Sequence, residues 1–81
     1  MSKRDKVKAR ILARPPELDF EELRDFLVAE GWLWRPPRGG GSHHFFSKPG
    51  VRETLLIPTV GGRKVKRTYI VEVIKALGLE D

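Results

Sequence analysis

Gly41-Ser42-His43-His44-Phe45-Phe46 lies in the middle of the 81-residue chain and contains both of its histidines. We interpret this stretch as a strand, because aromatic residues follow a glycine cluster that is typical of a turn. Successive side chains of a strand point to opposite faces, so His43 and Phe45 share one face and His44 and Phe46 share the other. If helices cover the face that carries Phe46, then His44 is structural and His43 stays accessible to solvent.

Two amphipathic helices are predicted, one on each side of this strand. The first begins at Asp19, which has the spacing of a capping box with Glu22, and ends before Gly31. The second begins at Thr68, a candidate N-cap, and ends at Gly78. Apolar residues at helical spacing give each helix one buried face: Phe20, Leu23, Phe26 and Leu27 in the first, and Ile70, Val73, Ile74 and Leu77 in the second.

Three strands are predicted between these helices, over residues 32–35, 42–48 and 53–59. They are joined by a proline- and glycine-rich loop over residues 36–41 and by a turn at Pro49-Gly50. Pro58 lacks the N–H that a strand ladder requires, which places the third strand at an edge or near its end. Short connections favour an antiparallel meander with helices on one face. The predicted fold class is therefore α+β, with an α-β-β-β-α order and a three-stranded antiparallel sheet.

An N-terminal basic segment precedes this unit. Residues 3–13 predict a short helix that ends at Pro15-Pro16, since the residue before a proline avoids the helical region. Its apolar stripe is narrow and consists of Val7, Ile11 and Leu12. A helix this short is unstable unless it docks, so a frayed arm is the alternative. We therefore divide the chain into a basic helix or arm, residues 1–16, and a domain over residues 17–81.

Charge is unevenly distributed along the chain. The net charge of +5 and a pI near 10.0 favour a polyanionic partner such as nucleic acid, with plain solubility as the alternative. Acidic residues are concentrated between residues 17 and 30, whereas residues 63–67 carry four cations and no acid. No membrane span or signal core is apparent, so we expect a cytoplasmic protein. The chain has no cysteine, which leaves histidine as the natural group for proton transfer near neutral pH.

Several short motifs follow one another in a recognisable order. They are Glu22-Leu23-Arg24, Gly31 before an aromatic residue, Gly41-Ser42-His43 with Phe46 three residues later, and Leu56-Ile57-Pro58 before a glycine-bearing basic loop. With a closing helix that ends at Gly78-Leu79, this order resembles the HicA toxins of bacterial and archaeal toxin–antitoxin systems, which are small mRNA interferases. The resemblance runs from about Asp19 to Leu79, and the added N-terminal helix is similar to a subset of the family.

The resemblance implies a fold like that of the double-stranded-RNA-binding domain. It also implies cleavage of mRNA without a metal or other cofactor, with the histidine after Gly-Ser, here His43, as general acid or base. The implied partner is a HicB-like antitoxin that covers this histidine. The chain departs from the family at two places. Many members carry a second histidine two residues after the third-strand proline, where this chain has Val60, and the loop before Gly41 is longer than usual.

RNA cleavage also needs cations that stabilise the charge developing on the phosphate. The candidates are Lys64, Lys66 and Arg67 of the basic run and Arg38 in the glycine loop, and Arg63 is a further candidate for phosphate contact. Phe45 is the candidate for base stacking because it shares the face of His43, and Ser42 completes the predicted RNA-binding set. The alternatives are a structural role for His43, packing roles for Trp32, Trp34 and Phe45, and a merely solvated basic loop.

A metal site is not expected, because His43 and His44 diverge on a strand and neither cysteine nor a carboxylate cluster completes a ligand shell. The leading hypothesis is a toxin ribonuclease neutralised by an antitoxin. One alternative is a non-catalytic double-stranded-RNA-binding module, which would depend on Lys64, Lys66 and Arg67 and would not need His43. The other is a HicA-like interaction protein that has lost activity, and the missing second histidine would be the sign of that loss.

Overall fold

The computed structural model describes residues 2–79 and contains helices and strands in an α+β arrangement. In chain order they are α1 (Lys3–Leu12), β1 (Glu17–Asp19), α2 (Phe20–Ala29), β2 (Leu33–Arg35), a 3₁₀ turn (Arg38–Gly40), β3 (His43–Ser47), β4 (Leu55–Pro58), β5 (Lys64–Lys66) and α3 (Arg67–Leu77). Within this part of the chain, no helix is long and apolar enough to cross a membrane.

A three-stranded antiparallel sheet in the order β2-β3-β4 lies at the centre of the predicted α-β-β-β-α unit. Trp34 pairs with Phe46, and Phe46 pairs in turn with Leu55 on the other side. His43 pairs with Pro58 at the far end of the same ladder. The fold class predicted from the sequence is therefore confirmed, including the antiparallel meander.

The inner face of this sheet packs into a single core. Phe46 has no exposed surface, and Leu55 and Ile57 beside it are also buried. Together with the apolar faces of α2 and α3 they form the predicted core, which includes Leu23, Leu27, Ile70 and Ile74. Strand alternation explains why Leu56, between two buried neighbours, points outward and is 51% exposed.

A second, two-stranded sheet was not predicted. β1 pairs antiparallel with β5, with Leu18 opposite Val65 and both side chains buried. The basic loop predicted after Pro58 is therefore wrong for residues 64–66, which form β5. Three-residue strands with one inward side chain each are too short for a period-2 pattern to reveal them, because their pairing depends on residues 45 or more positions apart in the chain.

The helix C-termini agree with the sequence, whereas the N-terminal capping differs from the prediction in α2 and α3. After α2, Gly31 N donates to Val28 O and Trp32 N donates to Leu27 O, which is a Schellman motif with Gly31 at φ 97°. Gly78 ends α3 in the same left-handed conformation. The N-cap of α3 is Lys66 rather than the predicted Thr68, since the helix begins directly where β5 ends. Asp19 is the N-cap of α2, but its side chain makes no capping hydrogen bond.

The N-terminal segment is a docked helix and not a frayed arm. Val7 and Ile11 of α1 are buried in the same core as α2 and α3. Exposed ion pairs join α1 to α2, between Arg4 and Glu30 and, at 3.3 Å, between Arg10 and Glu22. The division of the chain at residue 16 stays a prediction.

Candidate active site

His43 is the first residue of β3 and is exposed to solvent, as the strand alternation predicts. Its backbone position is fixed by pairing with Pro58 and by the next bond of the ladder, in which Thr59 N donates to Ser42 O at 2.9 Å. The Ser42 hydroxyl oxygen lies 3.5 Å from His43 Nδ1, at the limit of hydrogen bonding. A rigid ladder therefore holds an imidazole that a ligand can reach.

His43 belongs to a sheet face that no described helix covers. We define the outer face by the side chains that alternate away from the core, which are Leu33, Arg35, His43, Phe45, Ser47, Leu56 and Pro58. Leu33 is 60% exposed and Phe45 is half-buried. The Arg35 guanidinium carbon lies 5.9 Å from the centroid of the Phe45 ring, in a cation–π arrangement.

His44 lies on the opposite face and packs among aromatic side chains. Its ring centroid is 4.0 Å from that of Phe20, and its Nδ1 accepts a hydrogen bond from Trp34 Nε1 at 3.1 Å. The Arg24 guanidinium sits 4.9 Å from the Trp34 ring centroid. Burial lowers the pKa of His44 below its ordinary value of 6.5, and the positive charge of Arg24 lowers it further. His44 is therefore held as a neutral, structural imidazole.

The glycine-rich loop approaches the site from the β2 side. Arg38 begins a 3₁₀ turn directly before β3, and the side chain is exposed. Gly39 and Gly40 have φ angles of 66° and 75°, a backbone conformation that favours glycine. The turn therefore reverses the chain within a few residues and brings Arg38 to the end of the sheet where His43 begins β3.

The turn after β4 approaches the same end of the sheet. Val60 follows Thr59, is 48% exposed, and exchanges backbone hydrogen bonds with Lys64. Arg63 lies in this turn with an exposed side chain, and its carbonyl accepts a hydrogen bond from Phe20 N at 2.7 Å. Arg38, His43 and Arg63 therefore come from three segments that meet at one end of the β2-β3-β4 sheet.

The remaining predicted cations lie on β5 and at the start of α3. Lys64 and Lys66 of β5 are paired with Asp19 and Glu17 of β1, so acids oppose the bases that are without acids in the sequence. Lys64 Nζ donates to Asp19 Oδ1 at 2.6 Å; this hydrogen bond lowers the pKa of the carboxyl and raises that of the ammonium. Arg67 Nε donates to the Arg14 carbonyl at 2.9 Å. Lys64 and Arg67 thus have protein partners already.

Arg35 is the residue of the outer face that the sequence analysis missed. The available signal was strand alternation, because Trp34 points inward and its neighbour must then point outward beside Phe45. The two other aromatic candidates have packing roles. Trp32 is buried in the core, and Trp34 is occupied by His44 and Arg24. Among residues 2–79, no group of three or more His, Asp or Glu side chains is placed to hold a metal ion.

The structure combines a small antiparallel sheet, helices on one of its faces and an exposed histidine on the other face. A protein-family model described as the HicA toxin of bacterial toxin–antitoxin systems matches residues 20–79. The chain therefore belongs to the HicA family and is a toxin of a toxin–antitoxin system. The matched region begins at α2, so α1 and β1 lie outside it. Comparisons with curated proteins and with solved structures found no match.

Proposed function

We propose that this protein is a cytoplasmic endoribonuclease that cleaves mRNA, with His43 as its general acid–base group. The observation that supports the proposal most directly is the exposure of His43 at the start of β3. The neighbouring imidazole of His44 is unsuitable, because it is half-buried among aromatic side chains and its Nδ1 already accepts a hydrogen bond from Trp34. Of the two histidines, only His43 can receive a proton from a substrate without a change in packing.

The proposed reaction is attack of a ribose 2′-oxygen on the adjacent phosphorus. His43 takes the 2′-hydroxyl proton, the new P–O2′ bond forms, and the bond from phosphorus to the 5′-oxygen breaks. The products are a 2′,3′-cyclic phosphate and a 5′-hydroxyl. Val60 stands where many family members carry a second histidine and offers no proton, so we assign protonation of the leaving oxygen to water.

The proposed RNA contacts divide into two groups according to their surroundings. Arg38, Ser42, Phe45 and Arg63 lie at or beside the end of the sheet that carries His43 and are assigned the scissile region. Fixed cations at that end would stabilise the charge that develops on the phosphate. Lys64, Lys66 and Arg67 lie on the β1-β5 side and are assigned flanking phosphates, with a smaller share for Lys64 and Arg67 because they have protein partners.

The proposed protein partner is a HicB-like antitoxin. Members of the family pair with an antitoxin, and covering the exposed His43 would be sufficient to block cleavage. A second candidate function, an inactive interaction protein, is favoured by one observation, which is Val60 in place of a second imidazole. Both candidates bind a partner, but only the ribonuclease needs His43 for chemistry.

Purified wild-type protein is expected to cleave single-stranded RNA in the presence of EDTA, and its expression alone should arrest bacterial growth. His43→Ala should reduce cleavage by ~10²–10⁴-fold, the usual contribution of a general base, or roughly 3–5 kcal/mol of barrier. Gel analysis of 5′-labelled RNA would follow the rate and reveal the cyclic phosphate terminus.

His44→Phe is the matched control, because it replaces the adjacent imidazole while keeping an aromatic ring against Phe20. We expect it to retain cleavage in the fraction that is folded by circular dichroism. A folded His43→Ala protein that cuts at the wild-type rate would refute the assignment of His43. A wild-type protein that binds its antitoxin but never cuts RNA would support the inactive interaction protein instead.

A further inference from the structure

The outer face combines an aromatic ring, a guanidinium and aliphatic side chains, and the proposed reaction does not account for this combination. Phe45 presents part of its ring to solvent, and the Arg35 guanidinium sits over that ring. Leu33 and Leu56 flank them and are 60% and 51% exposed. Exposed large apolar side chains of this kind, grouped on one face, mark a binding surface more often than a chance cluster.

Charge restricts what such a surface can bind. The three strands β2, β3 and β4 contain no acidic residue, and their charged side chains on the outer face are Arg35 and the ionisable His43. The whole chain carries a net charge of +5. A second copy of this chain is a poor occupant, because a two-fold interface would bring the same cations of two positively charged molecules together.

We propose that the outer face binds single-stranded RNA, with one base stacked on Phe45 and the neighbouring phosphate held by Arg35. Its role as a substrate site rests on the ribonuclease function proposed above. Same-face residues of a strand lie ~7 Å apart, so Phe45 and His43 are separated by about the reach of one extended nucleotide. The face would therefore position the nucleotide next to the scissile phosphate.

The chemistry of the face favours a single strand over a duplex. Bases in an RNA duplex are stacked inside the helix, which presents phosphates and 2′-hydroxyls to a protein. The Phe45 ring and the exposed apolar side chains beside it offer no partner for those groups, but they match an unstacked base, while Arg35 can contact the phosphate next to that base. Stacking of this kind is tolerant of sequence, so we expect weak base preference at this position.

The test measures binding and not cleavage. His43→Ala protein is titrated into a fluorescein-labelled single-stranded RNA of mixed sequence, and separately into the same RNA as a duplex, with anisotropy as the readout. On this background, Phe45→Leu should weaken single-strand binding by about 5- to 150-fold, the range for loss of one stacking contact. Phe45→Trp should restore binding to within a few-fold of the parent, because it keeps an aromatic ring.

Arg35→Ala should weaken binding and reduce the magnitude of the salt slope by about 0.7, the value for one phosphate contact to a single strand. The matched controls lie elsewhere on the surface: Lys8→Ala removes an exposed cation from α1, and Val28→Ala trims an exposed apolar side chain of α2. Both should leave the affinity for RNA unchanged. The duplex should bind more weakly than the single strand and should not respond to Phe45→Leu.

The proposal that the outer face binds single-stranded RNA is refuted if Phe45→Leu and Phe45→Trp bind RNA alike, or if the duplex binds as tightly as the single strand. It is also refuted if outer-face variants alter the sedimentation of the protein and leave RNA affinity intact, since the face would then be a protein interface. Should Phe45→Leu fail to fold, the exposed Arg35→Ala decides the outcome. If wild-type protein does not cleave RNA but still binds it in a Phe45-dependent way, the proposed nuclease activity is refuted and the proposed RNA binding by the outer face is not.

Discussion

His43 and His44 are neighbours in the chain, yet their surroundings give them different chemistry. His43 is exposed at the end of a ladder, whereas His44 accepts a hydrogen bond from Trp34 and stacks on Phe20. The acceptor must be an unprotonated Nδ1, so the neutral tautomer of His44 carries its proton on Nε2. One residue of strand alternation therefore separates a group that can exchange protons from one whose protonation disrupts packing.

The unfolding free energy should fall as the pH is lowered through the range in which His44 takes up a proton. Its pKa is lowered in the folded protein, so the unfolded chain binds more protons below pH 6.5 and stability is fully present only above that value. His44→Phe should remove much of this dependence, as measured by urea unfolding at about pH 7.5 and about pH 5.5.

His43→Ala is the control for His44→Phe, because it removes the adjacent imidazole and leaves the hydrogen bond between Trp34 and His44 in place. Asp19 does not interfere, because its pKa lies below 3.8 and it stays ionised throughout. If His44→Phe loses stability on acidification as steeply as the wild type, the acid sensitivity arises elsewhere in the molecule.

At the residue level, the sequence predicts which side chains are buried through alternation and periodicity. It does not predict which of two partners a polar side chain binds. The exposure of His43 and the burial of Phe46 follow from period 2 together with helices that cover one face of the sheet, and both predictions are confirmed. The capping role of Asp19 failed because Lys64, far along the chain, binds its carboxylate at 2.6 Å. A capping pattern describes only partners that are close in the chain, so it does not reveal a cation that folding brings near from a distant position.

Among the elements, α2 and α3 were predictable because each carries several apolar residues at helical spacing, and β3 was predictable because adjacent aromatic residues follow a glycine cluster. β1 and β5 were not, since each has a single buried side chain and their pairing is non-local. The error had a consequence for the site. β1 places Glu17 and Asp19 opposite Lys66 and Lys64, which divides the predicted basic run into engaged and unengaged cations.

The docking of α1 should depend on its buried apolar side chains and only weakly on its ion pairs. Ile11 has no exposed surface, and replacing such a residue by alanine typically costs about 2–5 kcal/mol. Arg10→Ala removes an exposed ion pair to Glu22, which is worth about 1 kcal/mol or less. Urea unfolding of Ile11→Ala, Arg10→Ala and the wild type should therefore rank them in that order of increasing stability.

The same comparison tests whether residues 1–16 are separable from the rest of the domain. A single cooperative transition in Ile11→Ala, shifted to lower urea, is expected if α1 belongs to the common core. An Ile11→Ala protein as stable as the wild type would mean that α1 is an undocked arm in solution.

At the scale of the whole molecule, some cations are paired with acids of the protein and others lie near the proposed site. Arg4 and Arg10 of α1 pair with Glu30 and Glu22, while the exposed Arg35, Arg38 and Arg63 lie in β2 or in the turns next to the β2-β3-β4 sheet. A net charge of +5 attracts RNA to the surface in general, but phosphate contacts require cations that are not already paired. The arrangement of partners, more than the number of cations, should therefore decide where the RNA backbone lies.

Arg63 and Lys64 provide a matched pair for this idea, since they are adjacent cations that differ in their protein partners. In His43→Ala protein, Arg63→Ala should reduce the magnitude of the salt slope of single-stranded RNA binding by about 0.7. Lys64→Ala should reduce it by less, because its ammonium is held by Asp19. Asp19→Asn should release Lys64 and steepen the slope, and it sacrifices no helix cap because the Asp19 side chain makes none. Anisotropy titrations between about 50 and 200 mM salt would resolve these differences.

Equal effects of Arg63→Ala and Lys64→Ala, with no change in Asp19→Asn, would show that the ion pair does not withhold Lys64 from RNA. If none of the three variants alters the slope, the RNA backbone does not pass over the turn after β4, and Arg35 and Arg38 on the other side of His43 are the next phosphate contacts to test.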